Sequence, residues 1–127
     1  MFHISNPSLK QTEKTNRGRA LFKLQEPLEV IMMIGSGKLE IKIPAGYETD
    51  FASTPWFLQW FIPSAGRYSR AAIVHDWFYS NPHNCTRFFA DCLFREIMCH
   101  LEVPMWKRVL MYYGVRFGGA FLWKGDK

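Results

Sequence analysis

"ALFKLQEPLEVIMMIGSGKLEIKIPAG", residues 20–46, sets apolar side chains at every second position on either side of a glycine-rich break: Phe22 and Leu24, then Leu39, Ile41 and Ile43. A period of two lines one face of a β-strand with apolar groups, and Gly35-Ser36-Gly37 offers the positive φ that a tight hairpin requires. The spacing predicts strands at 20–24, 28–34 and 38–43, with Pro44 and Gly46 ending the sheet. Upstream, residues 1–18 are polar around Pro7 and are expected to form an N-terminal arm.

Downstream the period changes. "YETDFASTPWFLQWFIPSAGRYS", residues 47–69, carries two prolines and the aromatic cluster Trp56, Phe57, Trp60 and Phe61, and reads as a packed loop. Ser69 is placed to cap a helix that runs to about Ser80, where Asn81-Pro82 stops it. Thr86 caps a second helix from Arg87 to about Leu101, with Phe89, Leu93, Phe94, Ile97 and Leu101 at spacings of three and four. Pro104 suits the first turn of a third, which continues to about Phe117 before Gly118-Gly119. The expected fold class is α+β: a small N-terminal antiparallel β-sheet of about three strands, followed by three helices. By length, residues 19–127 are expected to form a single domain.

Composition narrows the function classes. A hydrophobic fraction of 48% and an aromatic fraction of 17% exclude a disordered chain and raise the prospect of an apolar surface that meets a partner. The net charge of +5 suits an anionic lipid or cell-wall surface. Its cations are scattered, as a loose basic arm (Lys10, Lys14, Arg17, Arg19) and a thin basic C-terminal third (Lys107, Arg108, Arg116, Lys124, Lys127). No nucleic-acid-binding motif accompanies them, and nucleic acid is not the expected partner. Three cysteines cannot all pair within the chain, which points to synthesis in a reducing compartment. At spacings of seven, Cys85, Cys92 and Cys99 fall along one helix stripe and read as small core residues. No signal peptide and no transmembrane segment are expected, since "VLMYYGVRFGGAFLW" is broken by Arg116 and its glycines.

The chemistry concentrates in "RAAIVHDWFYSNPHNCTRFFADCLF", residues 70–94. On a helix His75 and Tyr79 share a face, with Asp76 about 100° round from His75. The short link to the next helix predicts an antiparallel neighbour carrying Asp91, whose carboxylate can orient the imidazole and raise its basicity while the other ring nitrogen meets water or substrate. Equally, the cluster can be a satisfied polar spot that pins two helices. The loop after the last strand adds Asp50, Ser53 and Thr54; Asp50 either caps a turn or joins Asp76 and Asp91 in an oxygen-rich site suited to Ca²⁺ or Mg²⁺, or with His75 one suited to Zn²⁺. Ser53 lacks the Gly-x-Ser-x-Gly elbow of a serine nucleophile. His83 and His100 stand near helix ends and read as surface residues.

"GYETDFASTPWFLQWFIPSAGRYSRAAIVHDWFYSN", "TRFFADCLFREIM" and "VPMWKRVLMYYGVRFGG" together resemble a family of short phage and prophage proteins, domain-of-unknown-function family 1353. The resemblance covers residues 40–120, and its signature pieces are Thr49-Asp50-Phe51-Ala52-Ser53, Gly66-Arg67-Tyr68, His75-Asp76 and Ala90-Asp91. It implies a phage protein made in the host cytoplasm, with virion association and other virion proteins as partners. A second, local resemblance is to the His-Asp helix pair of phospholipases A2. It implies His75 as general base, Asp76 as calcium ligand, and Asp91 with Tyr79 as the pair that holds the imidazole. The chain departs from that pattern in lacking a Gly-rich calcium loop with paired cysteines before the helix; only "AGYETDF" stands in its place. The expected assignment is therefore catalytic His75, Asp91 and Tyr79, metal-binding Asp76 and Asp50, and substrate-binding Ser53, Thr54, Trp56, Arg67 and Tyr68. It describes a metal-assisted hydrolase, with a non-enzymatic tail or baseplate component, or a host-directed binding protein, as the alternative.

Overall fold

A computed structural model of the chain describes residues 2–16, 19–49, 66–81 and 86–118. The order is β1 (Phe2–Ile4), β2 (Leu9–Asn16), β3 (Arg19–Leu24), β4 (Leu28–Ile34), β5 (Gly37–Ile43), β6 (Glu48–Thr49), then α1 (Gly66–Ser80), α2 (Arg87–His100) and α3 (Met105–Gly118). The class is α+β, as the change of period requires. The chain divides into two compact units, Met1–Asp50 and Phe51–Lys127.

The first unit holds two antiparallel sheets of three strands, ordered β1-β4-β5 and β2-β3-β6. In the hairpin β4–β5 the pairs Leu28↔Ile43, Val30↔Ile41 and Met32↔Leu39 share one face, which is buried except for half-buried Leu39. The alternate pairs place Glu29 opposite Lys42 and Ile31 opposite Glu40. Gly35 supplies the positive φ, 59°, at the first turn position.

Two expectations for this unit need correction. The stretch expected as an arm holds two strands, since Phe2–Ile4 pair with β4 and Leu9–Asn16 pair with β3. β2 escaped notice because, as an edge strand, it buries little and carries polar side chains, with a bulge between Gln11 and Thr15 where the Thr12 hydroxyl accepts from the Lys14 N–H. Nor do Pro44 and Gly46 finish the sheet structure. They form a turn, closed by the Tyr47 N–H donating to the Pro44 carbonyl with Gly46 at φ 91°, that delivers β6 to the open edge of β3.

The second unit packs α1 against α2 and α2 against α3. Both pairs are antiparallel: His75 meets Phe94 while Phe78 meets Phe89, and Arg87 meets Arg116 while Arg95 meets Tyr112. α1 begins at Gly66, one turn before the expected Ser69 cap, and is buried continuously from Ala71 to Asp76, the pattern of a helix covered all round. α2 starts where its cap predicts, with the Thr86 hydroxyl accepting from the Phe89 N–H at 3.1 Å. It ends in a Schellman turn: the Val103 N–H donates to the Met98 carbonyl and the Glu102 N–H to that of Cys99, with Glu102 left-handed at φ 61°. Cys92 and Cys99 are not core residues. Cys92 is half-buried beside the Tyr112 hydroxyl and Cys99 is exposed, because their stripe follows the margin of α2 and not its buried face; Cys85 lies outside the described residues.

Candidate functional site

Asp91 is the centre of the site. It sits on the buried face of α2 with no exposed surface, and four side chains from three helices converge on its carboxylate. His75 Nε2 lies 2.7 Å from Oδ1, and the Tyr79 hydroxyl donates to the same oxygen at 2.8 Å. Arg116 Nη1 donates to Oδ2 at 2.9 Å, and Arg87 Nη1 stands 3.6 Å from it. Arg87 is itself held by donating to the Arg116 carbonyl at 2.9 Å, and its buried Nε finds no hydrogen-bond partner among the described residues.

The local sequence explains this convergence. His75 and Tyr79 are one turn apart on α1, and Arg87 is one turn before Asp91 on α2, so each pair reaches the carboxylate from a single helix face. The imidazole is packed between the Tyr79 ring, 4.3 Å away between centroids, and the Phe94 ring, at 4.8 Å. Ala71, one turn before His75, is buried completely, as are Ala72 and Ala90 to within 1%.

Electrostatics and hydrogen bonding give the roles of Asp91 and Tyr79. Burial by itself would push the Asp91 carboxyl up, but the hydrogen bond and charge of His75, with donation from Tyr79 and Arg116, hold it below the ordinary carboxylate value. Asp91 is thus an acceptor only. Facing an ionised acceptor, His75 Nε2 is the donor to Oδ1. The Tyr79 phenol is pushed well up, first by burial and then by the Asp91 charge and hydrogen bond, with Arg87 opposing; it stays protonated and donates.

Of the residues singled out in the sequence, the structure brings His75, Asp91 and Tyr79 into direct contact. Asp76 is buried beside them on α1. Asp50, Ser53, Thr54 and Trp56 lie outside the described residues, as does His83, and Arg67 and Tyr68 are placed in α1 by their backbone only. His100 is exposed at the end of α2, as expected. Thr49, which opens the first signature piece, is buried in β6 opposite Phe22. Arg87 and Arg116 went unrecognised. The first has a local signal, a cation four residues before a carboxylate; the second is 25 residues away and has none. Among the described residues no three His, Cys, Asp or Glu side chains gather as a metal-binding group. Asp76 alone does not make a calcium site, which takes six to eight oxygen ligands.

A family model described as "Protein of unknown function (DUF1353)" matches residues 22–115, from β3 through to α3. The chain belongs to this family. The DUF1353 match spans strands and helices alike and takes in His75, Tyr79, Arg87 and Asp91, with Arg116 one residue past its end. No curated protein and no solved structure matches the chain. Among the described residues no helix is long and apolar enough to cross a membrane.

Proposed function

We propose that this DUF1353 chain is a small phage-type hydrolase in which His75 activates water for attack on an ester or amide carbonyl of a lipid or cell-wall polymer. One observation carries the reading: Asp91 accepts from His75 Nε2 at 2.7 Å and from Tyr79 on the same oxygen. In an imidazole whose Nε2 hydrogen is committed to a carboxylate, Nδ1 is the nitrogen that would take the proton from water, and the carboxylate would stabilise the imidazolium that forms. Arg116 and Arg87 add positive charge beside Asp91 in the interior. This is the division of labour that the likeness to phospholipases A2 implies, in which Asp76 would hold calcium. A cation there would polarise the carbonyl, and its remaining ligands would have to come from beyond the described residues.

The test is turnover of phospholipid vesicles and of purified cell wall by wild type and His75→Gln, with unfolding temperature as the control for folding. Loss of turnover in a folded His75→Gln supports the reading; unchanged turnover ends it. Adding Ca²⁺, Mg²⁺ or Zn²⁺ to wild type and Asp76→Asn tests the cation. A specific ion at 100 times its dissociation constant stabilises wild type by about 2.7 kcal/mol and leaves Asp76→Asn unmoved.

A second reading makes the chain a non-enzymatic tail, baseplate or host-directed binding component. The complete burial of His75 and the large apolar side chains exposed along α3 favour it. Recovery in fixed stoichiometry with purified particles, and no turnover, would establish the virion role.

A further inference from the structure

α3 presents an apolar surface that its own unit leaves uncovered. Met105, Trp106, Val109, Leu110, Tyr113 and Phe117 are between 43% and 79% exposed, whereas Met111 and Val115 of the same helix are buried. At 3.6 residues per turn the six exposed side chains fall within an arc of about 140°, centred opposite Met111 and Val115. Lys107 and Arg108 lie roughly 60° beyond its two margins. α3 contains these two cations and Arg116, and no acidic residue. The Lys107 ammonium stands 5.3 Å from the centre of the Trp106 ring, and the Arg116 guanidinium 5.2 Å from that of exposed Phe88 on α2.

From this arrangement we infer that the α3 face docks onto an anionic lipid surface, lying along it with the apolar arc turned into the headgroup region. Contiguous exposed apolar side chains of this size mark an interaction site. Trp106 and Tyr113 are amphipathic rings of the type that settles between hydrocarbon and water, and flanking cations whose stems run beside an apolar arc place their charge at phosphate level. Charge selects the partner. The cations that flank the arc, Lys107 and Arg108, are complemented by anionic headgroups, and α3 carries no acidic residue to repel them. Length sets the mode: α3 has 14 residues, which is about 21 Å and short of the ~30 Å hydrocarbon core, so it lies on the surface and does not cross it. This inference stands apart from the proposed reaction, because surface binding is read without turnover.

The experiment is flotation of the full chain with vesicles of phosphatidylcholine, with and without phosphatidylglycerol, at low and high salt. Wild type should float with the phosphatidylglycerol vesicles, weakly with the neutral ones, and less as salt rises. Lys107→Gln with Arg108→Gln should weaken that binding roughly thirtyfold. Trp106→Ser with Phe117→Ser should abolish it at an unchanged unfolding temperature, since both side chains face outward. The inference is overturned if wild type floats with neither vesicle, or with both alike and indifferently to the lysine–arginine variant. It is also overturned if sedimentation finds a dimer that Trp106→Ser with Phe117→Ser dissolves, which would put a second copy of the chain on this face.

Discussion

The two units handle charge in opposite ways. The strand unit keeps its ion pairs in water: Lys38 to Glu40 at 2.8 Å, Lys14 to Glu48 at 3.8 Å, and Lys42 to Glu29 at 4.0 Å. The helical unit places one carboxylate, Asp91, where no water reaches it and surrounds it with His75, Tyr79, Arg87 and Arg116. A surface pair gains little, because solvent screens it and holding two long side chains together costs entropy. The buried carboxylate has lost its hydration and depends on every donor around it. The same residue types are therefore nearly dispensable in one unit and decisive in the other.

The largest effect that would break this contrast is expected at Asp91. Asp91→Ala leaves two guanidiniums, an imidazole and a phenol without their shared acceptor, and should cost about 3–5 kcal/mol in urea unfolding. A loss below ~1 kcal/mol would mean that the network is not what joins the three helices. Tyr79→Phe removes a single hydrogen bond to a charged group in the interior and should cost about 1.5–3 kcal/mol, read from the same transition.

Acid sharpens the comparison, and the direction follows from the depressed Asp91 carboxyl. Its folded value lies below its unfolded one, near ~3.9, so the stabilisation is complete well above that pH and is lost as pH falls through the folded value. Unfolding free energy measured against pH should drop below about pH 4 in wild type, and the drop should be shallower in Asp91→Asn. Tyr79→Phe should move it to higher pH, because the phenol's donation helps to hold the carboxyl down. At the other end of the scale, Lys42→Gln in the strand unit should change stability by no more than about 0.5 kcal/mol at any of these pH values.

Several readings that rested on neighbours in the chain survived in both units. The period of two in residues 28–43 became the β4–β5 hairpin, and Thr86 and Pro104 marked the starts of α2 and α3, because caps, turns and alternation involve residues a few positions apart. The contact of His75 and Tyr79 with Asp91 followed from the same local rules plus one short connection between antiparallel helices. Polar β2 did not announce itself, since an edge strand is made by the hydrogen bonds that β3 offers and not by its own side chains. Arg116 joined Asp91 only when α3 folded back along α2. A carboxylate so placed must collect its counter-charges from wherever the chain returns, and that return is a property of packing; the helix faces and turns that make it available are written in the order of the residues.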